Sequence, residues 1–124
     1  MKDVLEYTSY RQYIADYYAD KKAKSAFTWQ MFAEKAGFSS PVYLKYVSEG
    51  RFNLSEEAAL RVTSAMSLVE YERDYFCEMV RFDHAKTDEE KKIFFNKMLA
   101  IADAHKVKII EDRDRQSGSA GMPR

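Results

Sequence analysis

The chain has 124 residues, the length of one domain, with 46% hydrophobic and 32% charged side chains; that composition excludes a fully disordered chain. Its 20 basic and 20 acidic side chains give no formal net charge, so charge alone does not announce a nucleic-acid partner. The single cysteine, Cys77, excludes an internal disulfide framework and a cysteine-based zinc site, no apolar run is long enough for a membrane span, and MKDVLEYTSY does not read as a signal peptide, so the expected compartment is the cytoplasm.

Few glycines and prolines and several helix-start signals predict an all-α fold. Ser9 with Gln12 three residues later has the form of a capping box. Tyr13, Ile14, Tyr17 and Tyr18 then fall on one helical face, giving a first helix over about 9–22. Lys21, Lys22 and Lys24 crowd its carboxyl end, where cations suit the helix dipole. Thr28 caps a second helix over about 29–36, with Phe32, Ala33 and Ala36 inward. Gly37 ends it, because glycine tolerates a left-handed stop. Ser40-Pro41 is expected to open a third helix, to about 49, with Leu44 and Val47 inward and Gly50 as its stop.

Arg51 to Leu54 reads as a loop. Ser55 caps a fourth helix with Glu56 and Glu57 in its first turn. Its expected buried side is Ala59, Leu60, Val62, Thr63 and Met66, and Leu68 closes it. A fifth helix is expected over about 70–85, with Tyr71, Tyr75, Phe76, Met79 and Val80 as its stripe. Thr87 to Glu90 forms a second capping box. It opens an amphipathic sixth helix to about 110, lined by Phe94, Phe95, Met98, Leu99 and Ala102. From Asp112 the chain is polar and aperiodic and is expected to be disordered. These elements divide the chain into residues 1–85, a C-terminal helix over 86–111 and a tail over 112–124.

Charge is unevenly spread along this order. Residues 1–55 carry +2, residues 56–90 carry −6 and residues 91–124 carry +4. An acidic middle between two basic ends is compatible with one positive face and equally with an ordinary mixed surface.

The most informative stretch runs from Phe27 to Leu68. It contains Phe32-Ala33, the turn Gly37-Phe38-Ser39, Leu44 and Val47 three apart, Gly50-Arg51, and Ala65-Met66-Ser67-Leu68. This pattern resembles the Cro/lambda-repressor-like (Xre-type) helix-turn-helix and covers about a third of the chain. The resemblance implies a five-helix DNA-binding unit, to which the sixth helix is an addition. The run A-G-F-S-S-P-V-Y-L-K and the stretch D-H-A-K-T-D-E-E-K are similar to a family of predicted bacterial regulators. In those proteins such a module precedes a longer helical domain of unknown function.

The physical logic of the motif names its candidates. A helix fits the major groove, and a preceding helix braces it across the backbone. With Leu44 and Val47 inward, Val42, Tyr43, Lys45 and Tyr46 are expected to face out. Lys45 has reach for guanine or a phosphate, and the tyrosines offer hydroxyls or flat faces for thymine methyls. Ser39 and Ser40 offer hydroxyls beside a helix start, an expected phosphate contact. Lys35 and Arg51 flank the same surface. The family often has glutamine near the start of its first motif helix; here Trp29 stands there, followed by Gln30. The third helix lacks the glutamine, arginine and asparagine residues that make bidentate base contacts.

No catalytic constellation is present in the sequence. His84 and His105 lack partners at metal-ligand spacing, Glu56 and Glu57 read as helix-start charges, and no glycine-rich phosphate loop occurs. The expectation is a non-enzymatic transcriptional regulator without metal or cofactor. Its expected partners are double-stranded DNA and a second copy of the chain, the latter through residues 91–110. The alternative is a protein-interaction adaptor that uses the same fold without binding DNA.

Overall fold

The computed structural model describes residues 2–116, with side chains described through His105. Among the described residues all regular structure is helical: a short 3-10 turn (Val4–Glu6) precedes α1 (Tyr10–Lys24), α2 (Trp29–Ala36), α3 (Tyr43–Ser48), α4 (Glu56–Ala65), α5 (Glu70–His84) and α6 (Asp88–Gln116). No helix of the described residues is long and apolar enough to cross a membrane.

Most helix starts are made by the expected hydroxyls. Ser9, Thr28 and Ser55 each accept the amide three residues on, at 3.3, 3.1 and 3.1 Å. Thr87 does the same for the Glu90 amide at 3.1 Å. Both expected capping boxes are only half formed. The Gln12 side-chain amide donates to Asp16 instead, and the Glu90 carboxylate accepts from the Lys86 backbone amide. At α5 the reverse half occurs: Val69 has no capping side chain, and Glu72 accepts the Val69 amide at 3.0 Å.

Two corrections concern helix ends in the motif. Ser40-Pro41 does not open α3; Pro41 and Val42 form a turn, and the helix starts after Val42, which makes no side-chain cap bond. The fourth helix ends at Ala65, short of Leu68, because Ser67 takes a left-handed φ of 59°. The Leu68 amide then reaches back to the Thr63 carbonyl at 3.1 Å. The same reach-back bond closes α2, Phe38 to Ala33 at 2.8 Å, and α3, Arg51 to Tyr46 at 2.9 Å. There the left-handed residues are Gly37 and Gly50.

One buried cluster runs through the molecule. Tyr10, Ile14, Phe32, Leu44, Leu54, Val62, Phe76 and Met79 form its centre. Helix α3 packs on α1 and α2, α4 on α2 and α5, and α6 lies along α5. Met98 and Ala102 of α6 join the same cluster, and His105 stacks on Tyr71 with ring centroids 3.9 Å apart. Of the expected inward residues, Leu60 is 52% exposed and Leu99 also faces out; Ala58 takes the buried place on α4. Leu60 follows Ala59 by one position, a turn of about 100° that carries it off the inner face.

Helix α6 continues to Gln116, beyond both the helix end and the Asp112 start of the tail expected from sequence. The remainder of that tail, residues 117–124, lies outside the described residues.

Gly37 tests this backbone account. Its φ is +86°, and a Cβ added there meets nothing within 4 Å, so the penalty of adding a Cβ is conformational rather than a clash. Gly37→Val is expected to lose roughly 1–3 kcal/mol in urea unfolding, the range for a strained backbone site. A melt equal to wild type would mean that the turn does not need a left-handed residue.

Candidate nucleic-acid interface

The candidate surface is built by α2, the turn at residues 37–42, α3 and the loop at residues 49–55. Leu44 and Val47 are fully buried and fix which way α3 is rotated. The opposite face is what remains: Val42 and Lys45 are exposed and Tyr46 is half-buried, at spacings of three and four residues. Ser39 and Ser40 are exposed in the turn that precedes α3. Neither is a cap of that helix, since Val42 holds the cap position. Lys35 and Gln30 are exposed on α2, and Gln30 donates to Glu34 at 3.3 Å.

Tyr43 is less available than its sequence position suggests. It is half-buried, and its hydroxyl donates to the Asn53 carbonyl at 3.0 Å. Burial also holds its phenol above the ordinary pKa. Its ring belongs to a row: Phe38 lies 5.0 Å from Tyr43, Tyr43 6.1 Å from Phe52, and Tyr46 5.6 Å from Phe52. Phe52 is 49% exposed and forms the outer edge of this row. Arginines stand at its ends, Arg51 with its guanidinium 4.2 Å from the Tyr46 ring centre and Arg61 5.9 Å from that of Phe38.

The charge on this face is mixed. Arg51 lies 3.7 Å from Glu49, and Arg61 lies 3.2 Å from Glu57 while also donating to the Gly37 carbonyl. Among the described residues, Lys35 and Lys45 have no ion-pair partner within 4.0 Å. A shallow cleft of about 290 Å³ opens between the turn and α4, lined by Phe38, Ser39, Ser40, Tyr43, Ser55 and Arg61 with Glu57 and Ala58. At the other end of α2, Trp29 stacks on Tyr18 at 3.9 Å and 11°, and the Lys22 ammonium sits 5.7 Å from the Tyr18 ring centre. Trp29 therefore uses one face for packing α2 onto α1.

The residue that sequence reasoning missed is Arg11. It leaves the first turn of α1 and donates to the carbonyls of Val47 at 2.7 Å and Phe52 at 2.8 Å. Its second terminal nitrogen donates to Asn53 Oδ1 at 2.9 Å and lies 3.4 Å from Asp83 of α5. A cation thus sits at the carboxyl end of α3, where the exposed helix carbonyls carry partial negative charge. Beside it, the Tyr10 hydroxyl is 3.0 Å from His84 Nε2. Burial is the main cause holding the His84 imidazole below its ordinary pKa, with nearby Arg11 acting the same way and Asp83 opposing. With the ring neutral, the direction of this bond follows from which imidazole nitrogen carries the proton.

Comparison with protein-family models, curated proteins and solved structures finds no match to this chain.

Two outcomes follow from the Arg11 junction. Arg11→Gln is expected to destabilise the fold by about 2–3 kcal/mol, the size of a lost charged hydrogen bond to groups left partly buried. Chemical shifts of residues 44–54 should move more than those of α6 in that variant. If they do not, the guanidinium does not hold α3. The His84 shift gives the second outcome. A folded-state pKa below the ordinary 6.5 means that the unfolded chain binds the proton more readily. Stability is then fully present above 6.5 and declines as pH falls through the folded value. Thermal melts between about pH 7.5 and 5.5 should show that decline, and His84→Gln should flatten it. An unchanged slope in the variant would assign it to other groups.

Proposed function

We propose that this chain is a DNA-binding transcriptional regulator, or the DNA-binding part of one, with α3 as the helix that enters the major groove. The observation that carries the reading is how α3 is held. A six-residue helix is too short to persist alone. Here it is pinned from behind by Leu44, Val47 and Arg11, while Val42 and Lys45 stay exposed. A braced short helix with an open outer face is what major-groove reading requires. The resemblance of residues 27–68 to a helix-turn-helix supports the same reading. Ser39, Ser40, Lys35, Arg51 and Gln30 are the proposed contacts to the backbone, and Lys45 the proposed contact to a base or phosphate.

The second reading is a protein-interaction adaptor. The aromatic row at Phe38, Tyr43, Phe52 and Tyr46 favours it, since aromatic rings with arginine are enriched in protein interfaces. A homodimer is part of the first reading, because one short helix reads only a few base pairs. Its expected contact through residues 91–110 is narrowed by the fold. Met98 and Ala102 are buried within one chain, and Phe95 is half-buried on the same cluster. Ile93 and Leu99 are left exposed on α6.

A gel-shift titration against random duplex at several salt concentrations tests the proposal. A steep loss of affinity with salt is expected, from released counterions. Lys45→Glu should weaken binding by more than about 1 kcal/mol with the melt unchanged. Two chains per shifted duplex are expected for the dimer. No shift at low salt removes the DNA reading and leaves the adaptor.

A further inference from the structure

Apart from Lys45, the reading face of α3 lacks the side chains that usually discriminate bases. From Val42 to Glu49 it runs V-Y-L-K-Y-V-S-E, without arginine, asparagine or glutamine. Guanine is ordinarily read by bidentate bonds from arginine or lysine and adenine by asparagine or glutamine, so Lys45 alone on this face has reach for a base edge of that kind. One base-edge feature of the major groove is read by apolar contact instead, the 5-methyl group of thymine. The structure decides which residue of this face is free to make that contact. The Tyr43 hydroxyl is spent on the Asn53 carbonyl, and the Tyr46 ring is in contact with both Arg51 and Phe52. Phe52 lies in the loop beyond the helix, packed on both tyrosines. Val42 stands at the head of α3, 38% exposed and making no cap bond, three residues before exposed Lys45.

We infer that Val42 is the specificity residue of the α3 face and that it recognises the 5-methyl group of thymine in the major groove. The inference rests on the duplex-binding reading above and adds the base feature which that face selects. Lys45, one turn on, supplies the charge that holds the helix in the groove. The pair would make a reader of thymine-bearing steps whose affinity comes from phosphates and whose choice comes from a methyl group.

The test uses the full chain and two pairs of duplexes at low salt, each measured with the wild type and with Val42→Ser. Alternating A–T duplex is compared with alternating A–U duplex of the same length, which differs by the 5-methyl group. Burial of one methyl corresponds to about four-fold in affinity, so the A–U duplex should bind about four-fold more weakly. Alternating C–G duplex is compared with its 5-methylcytosine form, which places a methyl at the same position in the groove. The methylated form should gain a similar factor. Val42→Ser, a substitution that suits a helix-cap position, should abolish both differences while its melt stays that of the wild type.

Equal binding of the A–T and A–U duplexes by the wild type overturns the inference and leaves the duplex reading standing. Loss on A–U without gain on methylated C–G assigns the effect to duplex shape and also overturns it. A methyl preference that survives in Val42→Ser overturns the role of Val42. No binding to any of the four duplexes overturns this inference together with the duplex reading.

Discussion

The Arg11 guanidinium is the contact on which the geometry of the candidate surface depends. It joins α1 to the carboxyl end of α3, to the loop after it and to α5 through Val47, Phe52, Asn53 and Asp83. Helix α3 has six residues, and nucleation cost makes so short a helix unstable by itself. Its position must come from outside: Leu44 and Val47 supply the apolar anchor, and Arg11 supplies the electrostatic one. The arginine carries more than one bond at this junction because its planar fork presents several donors at once. A lysine there would be a point charge with no comparable fit to two carbonyls and an amide oxygen.

Arg11 can do this only because α1 is itself fixed. Tyr10, Tyr13 and Ile14 are buried against α5 and its neighbours, and Tyr10 meets both Phe76 and His84 edge-on at centroid distances of 6.0 and 5.7 Å. The start of the chain is tied down as well. Val4 and Tyr7 are buried, and the Tyr75 hydroxyl donates to the Tyr7 carbonyl. At the far side Arg81 of α5 bonds Glu56 of α4 at 3.0 and 3.1 Å and Glu78 at 2.9 Å. That holds the Glu56 carboxyl below its ordinary pKa. Helix α6 then covers the back of α5 with Met98 and Ala102. The motif is thus one edge of a continuous core rather than a separate unit.

Local chemistry made much of this legible in sequence. Thr28, Ser55 and Thr87 sit where hydroxyl caps were expected, and Gly37 and Gly50 where left-handed stops were expected, because those signals act within four residues. Leu44 and Val47 were readable from spacing alone. What failed depended on tertiary partners or on small angular differences. Ser67 adopts a left-handed φ without being glycine, so its stop carried no sequence signal. Ser40-Pro41 had the form of a helix start, yet Pro41 lies in a turn with Val42 and α3 begins after it. Leu60 and Leu99 are apolar but lie one position off the buried stripe. Arg11 stands in the first turn of a helix, and its partners lie 36 to 72 residues away. No local pattern encodes such a contact.

The arginines of the molecule divide by exposure, and the division bears on the proposed function. Arg11 has a side chain only 18% exposed and is bound to several backbone and side-chain oxygens, so removing it from them leaves polar groups unpaired. Arg51 and Arg61 are different. Their carboxylate partners, Glu49 and Glu57, are exposed, and pairs of that kind contribute about 0–1 kcal/mol. A phosphate oxygen offers either guanidinium a bidentate partner at least as good as a solvated carboxylate. The nearby glutamates therefore pair with these two arginines without holding them firmly. On the duplex-binding reading, Arg51 exchanges Glu49 for the DNA backbone at small cost. Arg11 stays where it is and keeps α3 in place during that exchange.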